Sequence, residues 1–393
     1  NIKMTSSAVE LEGVVVTALG IKREKKSLGY SSQKLEAAEI NTTPTNNFLN
    51  NLSGKVAGLE IRTNSNFGGS TNVVIRGTKS VTGNNQALIV VDGVPLSNAN
   101  LNTSDTQTGR DGFDYGNSAS DIDPNNVESV NVLKGAAATA LYGSQAANGA
   151  IMITTKKGTK NKGLGVTYNS TVSTGVIDKS TFTKYQNQYG GGGYEGHDNL
   201  YVTDVNGDGQ DDLLVPTGYD LSYGNAFDPN LQVYGWNSFA VGNPNFGKTT
   251  AWVAGQNDPT TFFEKSFGTV NSINLNGGDQ TSTFNVNFSN NTEKGVLPNS
   301  SLKRNILGGN FSKDLSDKFK AIAFFTFTDQ NTVGRNSLGY GNNFIGGFRQ
   351  WWQTNVDIKE LKQEYFWNHD NVTWNMNDPV NGDLSPAKWN SPN

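Results

Sequence analysis

The sequence contains no cysteine and only two histidines among its 393 residues. The absence of cysteine excludes a disulfide framework, a thiol nucleophile and every cysteine-ligated metal site. Charged residues make up only 17% of the chain, with 31 basic against 35 acidic side chains, so neither charge-driven disorder nor a nucleic-acid-binding surface is indicated. No apolar run approaches the roughly 18 residues of a membrane-spanning helix, and the first residues carry no signal-peptide pattern.

Turn-forming residues are abundant instead. The chain has 45 glycines and is still richer in asparagine, while hydrophobic residues reach only 35%. Glycine and asparagine favour turns and are poor in helix interiors, so this composition indicates β-structure with long polar loops. The mean hydropathy of -0.51 does not exclude a transmembrane β-barrel, because lipid-facing residues alternate with polar ones along each strand of a barrel.

The first 160 residues divide into two regions. Residues 1–47 are polar and contain one apolar β-rich segment and one basic run, which predicts an extended arm with a solvated linker. Residues 48–160 carry short elements with clear ends and predict a small α+β domain. The predicted elements are strands at 72–77, 87–93, 127–133 and 150–155 and a helix at 136–142.

Residues 161–393 contain stretches in which apolar residues recur at every second position. Such alternation predicts strands with one apolar face, at 164–176, 267–277, 283–288, 302–313 and 319–327. Tight turns at 278–281 and 314–318 alternate with long polar segments at 178–266 and 331–393. Short turns at one end and long loops at the other are typical of membrane barrels. Five strands cannot close a barrel, so we expect either a fragment of a longer chain or no barrel.

Six sequence blocks resemble the SusC/RagA family of TonB-dependent outer-membrane transporters. They lie in the order found in the family's plug domain: Glu12 to Gly20, Leu52 to Leu59, Val74 to Gly77, Leu88 to Pro95, Ile122 to Ala136 and Ala140 to Ile151. One departure is Gly135, where the family usually carries an acidic residue. The resemblance implies an α+β plug domain followed by the first strands of an antiparallel transmembrane β-barrel.

The resemblance also implies a function without covalent chemistry. It implies TonB-dependent import of an oligomeric nutrient, glycan or peptide, across the outer membrane of a Gram-negative cell. The implied partners are TonB, a SusD-like surface lipoprotein and outer-membrane lipid. One apolar segment lies where the family's TonB-contacting stretch would be; as an extended strand it could add to a partner's sheet, or it could be the first plug strand. Its residues are Leu11, Glu12, Gly13, Val14, Val15, Val16, Thr17 and Ala18.

A second motif has the spacing of a calcium loop. Oxygen-bearing side chains stand at positions 1, 3, 5 and 9 of the run from residue 204 to 212, a glycine stands at 6, and a carbonyl is available at 7. The candidate ligands are Asp204, Asn206, Asp208, Gln210 and Asp212. Position 12 is Val215 and not the bidentate glutamate of an EF-hand, so we predict a compact structural Ca²⁺ loop, with an ordinary turn as the alternative.

A third motif satisfies the P-loop pattern. Gly242 to Thr249 reads Gly-Asn-Pro-Asn-Phe-Gly-Lys-Thr, but a P-loop needs a following helix whose N-terminus faces the phosphates. Gly255 and Pro259 make such a helix unfavourable. A nucleotide hydrolase is therefore a remote alternative, and a secreted, calcium-stabilised β-rich adhesion or binding protein is the closer one.

Two further groups of residues have more than one interpretation. Aromatic residues cluster in the long loops, where they either contact a sugar or partner protein or form the loops' own core. His197 and His369 each precede an aspartate, with no nucleophile elbow or zinc-binding helix nearby, so we predict no enzymatic activity.

Overall fold

The computed structural model contains an N-terminal α/β domain, a sheet of long strands and a module formed by the connections at one end of that sheet. The residues that it describes are 14–16, 22–24, 32–40, 47–63, 68–81, 83–98, 102, 104–160, 162–193, 200–340 and 343–386.

The N-terminal domain contains a five-stranded sheet in the order β3-β8-β9-β6-β7, in which only the β6–β9 pair is parallel. A hairpin of β4 and β5 packs beside it, and β1 pairs with β2. The strands are β1 Val14–Val16, β2 Lys22–Glu24, β3 Ser32–Glu36, β4 Leu59–Thr63, β5 Thr71–Ile75, β6 Leu88–Val91, β7 Val94–Leu96, β8 Val127–Leu133 and β9 Ala150–Thr155. The helices are α1 Ala37–Ile40, α2 Ser104–Thr108 and α3 Ala136–Tyr142.

The predicted elements of this domain are confirmed, although β5 and β6 differ in bounds from the predicted strands 72–77 and 87–93, and the sequence did not predict β3, β4, β7, α1 or α2. Strands β8 and β9 and helix α3 have the predicted bounds. The sheet also includes β3, and Ile40 is fully buried in its core, so the folded domain begins upstream of residue 48. The core consists mainly of aliphatic side chains from the five-stranded sheet, from the β4–β5 hairpin and from a short 3₁₀ helix at Phe48–Leu52, which also contributes the buried Phe48 ring.

The second part is a five-stranded antiparallel sheet in the order β10-β15-β16-β17-β18. Its strands are β10 Lys162–Gly175, β15 Ser266–Gly278, β16 Ser282–Lys294, β17 Ser301–Asp314 and β18 Lys320–Val333. These five strands confirm the alternation predicted from the sequence. The turns 279–281 and 315–319 lie at one end, and the longer connections lie together at the other, because consecutive strands run antiparallel.

The two faces of this sheet differ in chemistry. Tyr168, Ile273, Phe288, Leu307 and Phe327 are paired across the five strands and are exposed on the outward face. The opposite, inward face packs on the N-terminal domain and buries polar residues, namely Ser272, Asn274, Asn285, Asn287, Ser289, Arg304 and Asn310. Some of the chain's many asparagines are therefore found on this polar inward face.

The loop module comprises residues 176–265 and 334–386. Its strands are β11 Tyr201–Thr203, β12 Asp212–Leu214, β13 Asp228–Val233, β14 Thr250–Trp252, β19 Met376–Asp378 and β20 Asp383–Pro386, and its helices are α4 Phe344–Gln350 and α5 Ile358–Asn368. The sequence predicts a polar segment from 331 onward; the structure differs, since β18 continues to Val333 and two helices follow. Asp357 is the N-cap of α5, and its carboxylate accepts hydrogen bonds from the Lys359 and Glu360 amides. Across the described ranges, no helix is long and apolar enough to cross a membrane.

Candidate functional site

One loop of the N-terminal domain, residues 109–117, reaches the loop module and is held by several hydrogen bonds. Its Asp114 is almost fully buried and accepts hydrogen bonds from the Ser70 amide (2.8 Å) and hydroxyl (2.9 Å), from Asn102 Nδ2 (3.2 Å) and from the Gly116 amide (2.9 Å). Burial by itself raises the pKa of Asp114, but these hydrogen bonds outweigh it and hold the pKa below its usual value. The loop is therefore organised around an ionised carboxylate.

The same loop is bonded to the segment that follows β18. The Leu338 amide donates to the Gly112 carbonyl at 2.7 Å, and Arg335 Nη1 donates to the Asp114 carbonyl at 2.8 Å. The Arg335 guanidinium also lies 5.7 Å from the centre of the Tyr115 ring, within range of a cation–π interaction. These contacts join the N-terminal domain to the loop module.

A cavity of about 670 Å³ lies next to these contacts, within the usual size range of ligand sites. Phe113 enters it from the N-terminal domain and Tyr365 from α5, and both rings are partly exposed. Lys362 contributes a second cation and donates to Glu264 at 3.3 Å. The lining residues are Phe113, Phe262, Leu297, Pro298, Gly334, Arg335, Asn336, Ser337, Phe348, Ile358, Leu361, Lys362, Tyr365, Asn371 and Thr373. We refer to it as the apex cavity.

A second cavity, of about 540 Å³, lies between the N-terminal domain and the inward face of the long-stranded sheet. At this contact Asn287 Nδ2 donates to Asp123 Oδ2 at 3.2 Å, and Arg304 Nη1 donates to the Ser120 carbonyl. Asp123, Asn287 and Arg304 are each about 95% or more buried. We call this contact the seam; it is polar although it is inaccessible to solvent.

Several polar atoms at the seam have no hydrogen-bond partner among the described residues. Burial raises the pKa of Asp121, which the Arg304 charge lowers only in part, and burial also raises the pKa of Asp123. Arg304 Nε and Nη2 and Asn287 Oδ1 are buried and have no hydrogen-bond partner in the described part of the chain. A buried contact of this kind is costly to maintain and weaker than a fully bonded one.

The predicted calcium loop forms a compact turn closed by its own side chains. Asp204 accepts hydrogen bonds from the amides of Gly207, Asp208 and Gly209, and Asp212 accepts one from the Val205 amide. Asn206 and Asp208 are bonded to each other, while Gln210 donates its backbone amide to Asp208. Over the residues that the structure describes, no group of three acidic or histidine side chains is close enough to hold a metal. Calcium binding stays a prediction.

The P-loop-like segment, residues 242–249, lacks the surroundings that a phosphate-binding loop needs. Asn243 and Asn245 donate side-chain hydrogen bonds to Glu360 at 3.2 and 3.1 Å, and Lys248 Nζ donates to the Pro244 carbonyl. The next element is strand β14 and not a helix. The segment therefore packs on α5 within the loop module.

The loop aromatics mostly form the module's own core. Trp236, Trp252, Trp352 and Trp374 are at most 5% exposed, and the Trp352 and Trp374 rings meet at 5.1 Å. The rings therefore mainly form the core of the loops, which is one of the two interpretations that the sequence allowed. Tyr365, Phe366 and Tyr223 are exposed. Of the two histidines, His369 ends α5 in a left-handed conformation, and His197 lies outside the described residues.

The candidate TonB-contacting segment is described only in part. Val14–Val16 form β1, which is extended as predicted and pairs with Lys22–Glu24. Leu11, Glu12, Gly13, Thr17 and Ala18 lie outside the described residues. A contact with TonB stays a prediction.

Several residues of the two cavities are absent from the sequence-based candidates. Arg304 could have been found, because the alternation of its strand places it on the face opposite Leu307 and Phe311. Phe113, Arg335 and Lys362 could not, since they come from three separate segments without periodicity and only the fold brings them together.

With this geometry established, comparison with known proteins identifies the class. Residues 24–150 match the TonB-dependent Receptor Plug Domain family. The N-terminal domain is therefore the plug domain of a TonB-dependent receptor. The chain is 34% identical over 190 residues to the TonB-dependent receptor SusC of Bacteroides thetaiotaomicron, covering 48% of this chain and 17% of that protein. It is also 34% identical over 151 residues to the TonB-dependent receptor P26 of Formosa agariphila, covering 38% and 13%.

The fold agrees with this class. The structure of the RagAB peptide importer in its open-open state matches with a TM-score of 0.58 at 21% identity, covering 88% of this chain and 36% of that one. The plug-domain match and the identity to SusC support a relationship to the SusC/RagA type of TonB-dependent receptor. The plug domain and the antiparallel strands predicted from the sequence are confirmed. The matched segments span less than a fifth of the curated relatives' lengths.

Proposed function

We propose that the protein imports an oligomeric nutrient across the outer membrane, with energy supplied through TonB and with a SusD-like lipoprotein as its surface partner. The observation that carries this proposal is the packing of the plug domain on the polar inward face of a long-stranded sheet whose outward face is apolar. An apolar band on such strands suits lipid, and the strands then form part of a transmembrane barrel wall.

The position of the apex cavity supports a transport role. It lies at the end of the sheet where the long connections gather, and the plug supplies Phe113 to its wall. A substrate held there touches both the plug and the loop module. Movement of the plug would then displace Phe113 and change the shape of the cavity.

The seam provides one of the contacts that such a movement has to break. Its hydrogen bonds join Asp123 to Asn287 and Ser120 to Arg304, while several neighbouring groups lack partners. A pull on the N-terminal arm, applied through residues 11–18, would release these few contacts without unfolding the plug core.

The test is uptake by cells that produce the receptor. Replacing residues 11–18 with a glycine–serine segment of equal length should abolish uptake while the receptor stays in the outer membrane with its lipoprotein. The matched control replaces residues 2–9 and should keep uptake. Uptake that continues without residues 11–18, or a purified receptor that requires no detergent, would contradict the proposal.

A further inference from the structure

We propose that a groove on the outward face of the long-stranded sheet binds a glycerophospholipid with a phosphoethanolamine head group. The groove has a volume of about 660 Å³ and lies at the end of the sheet that carries the turns 279–281 and 315–319. The inference goes beyond the proposed import of a nutrient and depends only on the outward face meeting the membrane. We call this site the turn-end groove; its floor is formed by Leu164, Phe284, Phe311, Ala321 and Ala323.

The floor continues the apolar outward face of the sheet. Phe284 pairs with Phe311, which pairs with Ala323 on the next strand. Phe284 lies four residues before Phe288, and an even spacing keeps both rings on one face. The Phe311 ring stands beside the small side chains of Ala321 and Ala323, so this part of the face is concave. An exposed apolar groove of this kind suits an acyl chain, and its described lining contains none of the Trp, Tyr or Arg residues that dominate protein interfaces.

The groove is long enough for one acyl chain. Its lining reaches from Leu164 in β10 to Ala323 in β18, and these two strands are four spacings apart in the sheet. Neighbouring strands lie about 4.8 Å apart, so the groove crosses about 19 Å of the sheet. An acyl chain that fills one leaflet spans about 15 Å, which is half of the hydrocarbon core. The floor therefore accommodates a chain along its length.

The rim of the groove next to the turns carries a cation that is held in place. Lys313 pairs with Ser282 across the strands and lies two residues from Phe311 on the same face. Its Nζ donates to the hydroxyl groups of Thr281 and Ser282, both at 2.8 Å. An ammonium group has three N–H donors, so one is left for a ligand oxygen. Among the described residues Lys313 has no ion-pair partner.

A carboxylate lies on the same rim. Asp279 Oδ1 accepts hydrogen bonds from the Thr281 amide at 2.7 Å and hydroxyl at 3.1 Å, and from the Ser282 amide at 2.6 Å. The hydrogen bonds from Thr281 and Ser282 hold the pKa of Asp279 below its usual value, so the group is ionised at neutral pH. Asp279 is exposed, and its Oδ2 accepts no hydrogen bond from the described part of the chain. This oxygen can therefore accept a hydrogen bond from a ligand.

The two charges of the rim match a zwitterion. The Thr281 hydroxyl lies between them, since it accepts from Lys313 and donates to Asp279. Lys313 and Asp279 are therefore close together without forming an ion pair. A phosphoethanolamine head group offers a phosphate to Lys313 and a primary ammonium to Asp279. A purely anionic head group would be repelled by the carboxylate, and a quaternary ammonium has no N–H to donate to it.

The test is native mass spectrometry of the receptor, purified in detergent and freed of bound lipid. The probes are phosphatidylethanolamine, phosphatidylcholine and phosphatidylglycerol with identical acyl chains. Phosphatidylethanolamine should bind about tenfold more tightly than either of the other two. Equal binding of the three lipids, or tighter binding of phosphatidylglycerol, would overturn the proposal.

Variants of the rim connect the preference to the groove. Lys313→Gln should weaken binding of phosphatidylethanolamine about tenfold. Asp279→Asn keeps a side-chain oxygen for the turn, so the protein should fold, but binding of phosphatidylethanolamine should fall to the level of phosphatidylcholine. Lys318→Gln and Asp317→Asn are the matched controls, because they change exposed residues of the other turn that do not line the groove. Equal effects of the rim variants and their controls would refute the assignment.

A variant of the floor tests the site of the acyl chain. Ala323→Phe places a second ring beside Phe311 and should weaken binding of all three lipids alike. Ser301→Phe adds a ring at the opposite end of the outward face and is its control. Unchanged lipid binding in Ala323→Phe would count against the groove. A receptor that shows no preference among the lipids but still needs residues 11–18 for uptake would refute the lipid site and leave the import function intact.

Discussion

Replacing Arg304 by methionine should loosen the plug from the long-stranded sheet. Arg304 is about 96% buried, and its Nη1 donates to the Ser120 carbonyl at the seam. Its charge also favours the ionised form of Asp121. Methionine keeps a long side chain that fills most of the volume, so the substitution removes mainly the charge and the hydrogen bond.

The size of the effect follows from these contacts. A hydrogen bond from a charged group is worth about 1.5–3 kcal/mol, and removing one member of a buried charged set costs about 3–5 kcal/mol. The pKa values of Asp121 and Asp123 are already raised, so these acids can take up protons when the arginine is lost, which reduces the penalty. We therefore expect the seam to be weakened by about 2–3 kcal/mol, which corresponds to about 30- to 150-fold more frequent opening.

The assay is amide hydrogen exchange of the purified receptor, read at residues 118–126. Arg304→Met should speed exchange there by that factor, while the amides of β8 and β9 stay protected because the plug core is intact. Lys303→Met is the matched control, since Lys303 is the next residue and is exposed on the outward face. Unchanged exchange at 118–126 in Arg304→Met would refute the role of the seam.

Three other predictions concern separate parts of the chain. Burial raises the pKa of Asp220 to about 6, so the stability that its protonated carboxyl contributes is present at low pH and is lost as the pH rises through 6. Asp220→Asn should therefore raise the melting temperature at pH 8 but not at pH 4. After allowing for the partial exposure of Asp220, the expected gain in free energy of unfolding at pH 8 is about 1 kcal/mol. A side chain at Gly308 would stand 2.4 Å from Asn287 Oδ1, so Gly308→Ala should displace Asn287 and speed exchange at 118–126, unlike Gly163→Ala in open space. If the 204–212 loop binds calcium, titration calorimetry should detect the binding, and Asp208→Asn should weaken it. Asp211→Asn changes a residue outside the predicted ligand positions and should leave the binding unchanged. Equal binding by both variants would count against this site.

The sequence by itself determined the local structure of the plug and of the five long strands. The five strands could be located because apolar residues alternate along them, a period that depends only on the extended backbone. Their bounds were predicted less well: β16 and β18 each continue six residues beyond the predicted 283–288 and 319–327, where the sequence becomes polar. Helix α3 could be predicted because glycines flank a run of good helix formers. Helices α4 and α5 could not, since their side chains pack on a module built from distant segments and show no clear period.

The tertiary structure decided which polar residues meet. Alternation shows that Asn287 and Arg304 share a face of the sheet, but only the packing of the plug brings them to Asp123 and Ser120. The apex cavity likewise joins side chains from residue 113 to residue 373. Local propensity acts over a few residues, whereas these contacts depend on how the plug, sheet and loop module are placed together, and for that reason the sites appear only in the folded chain.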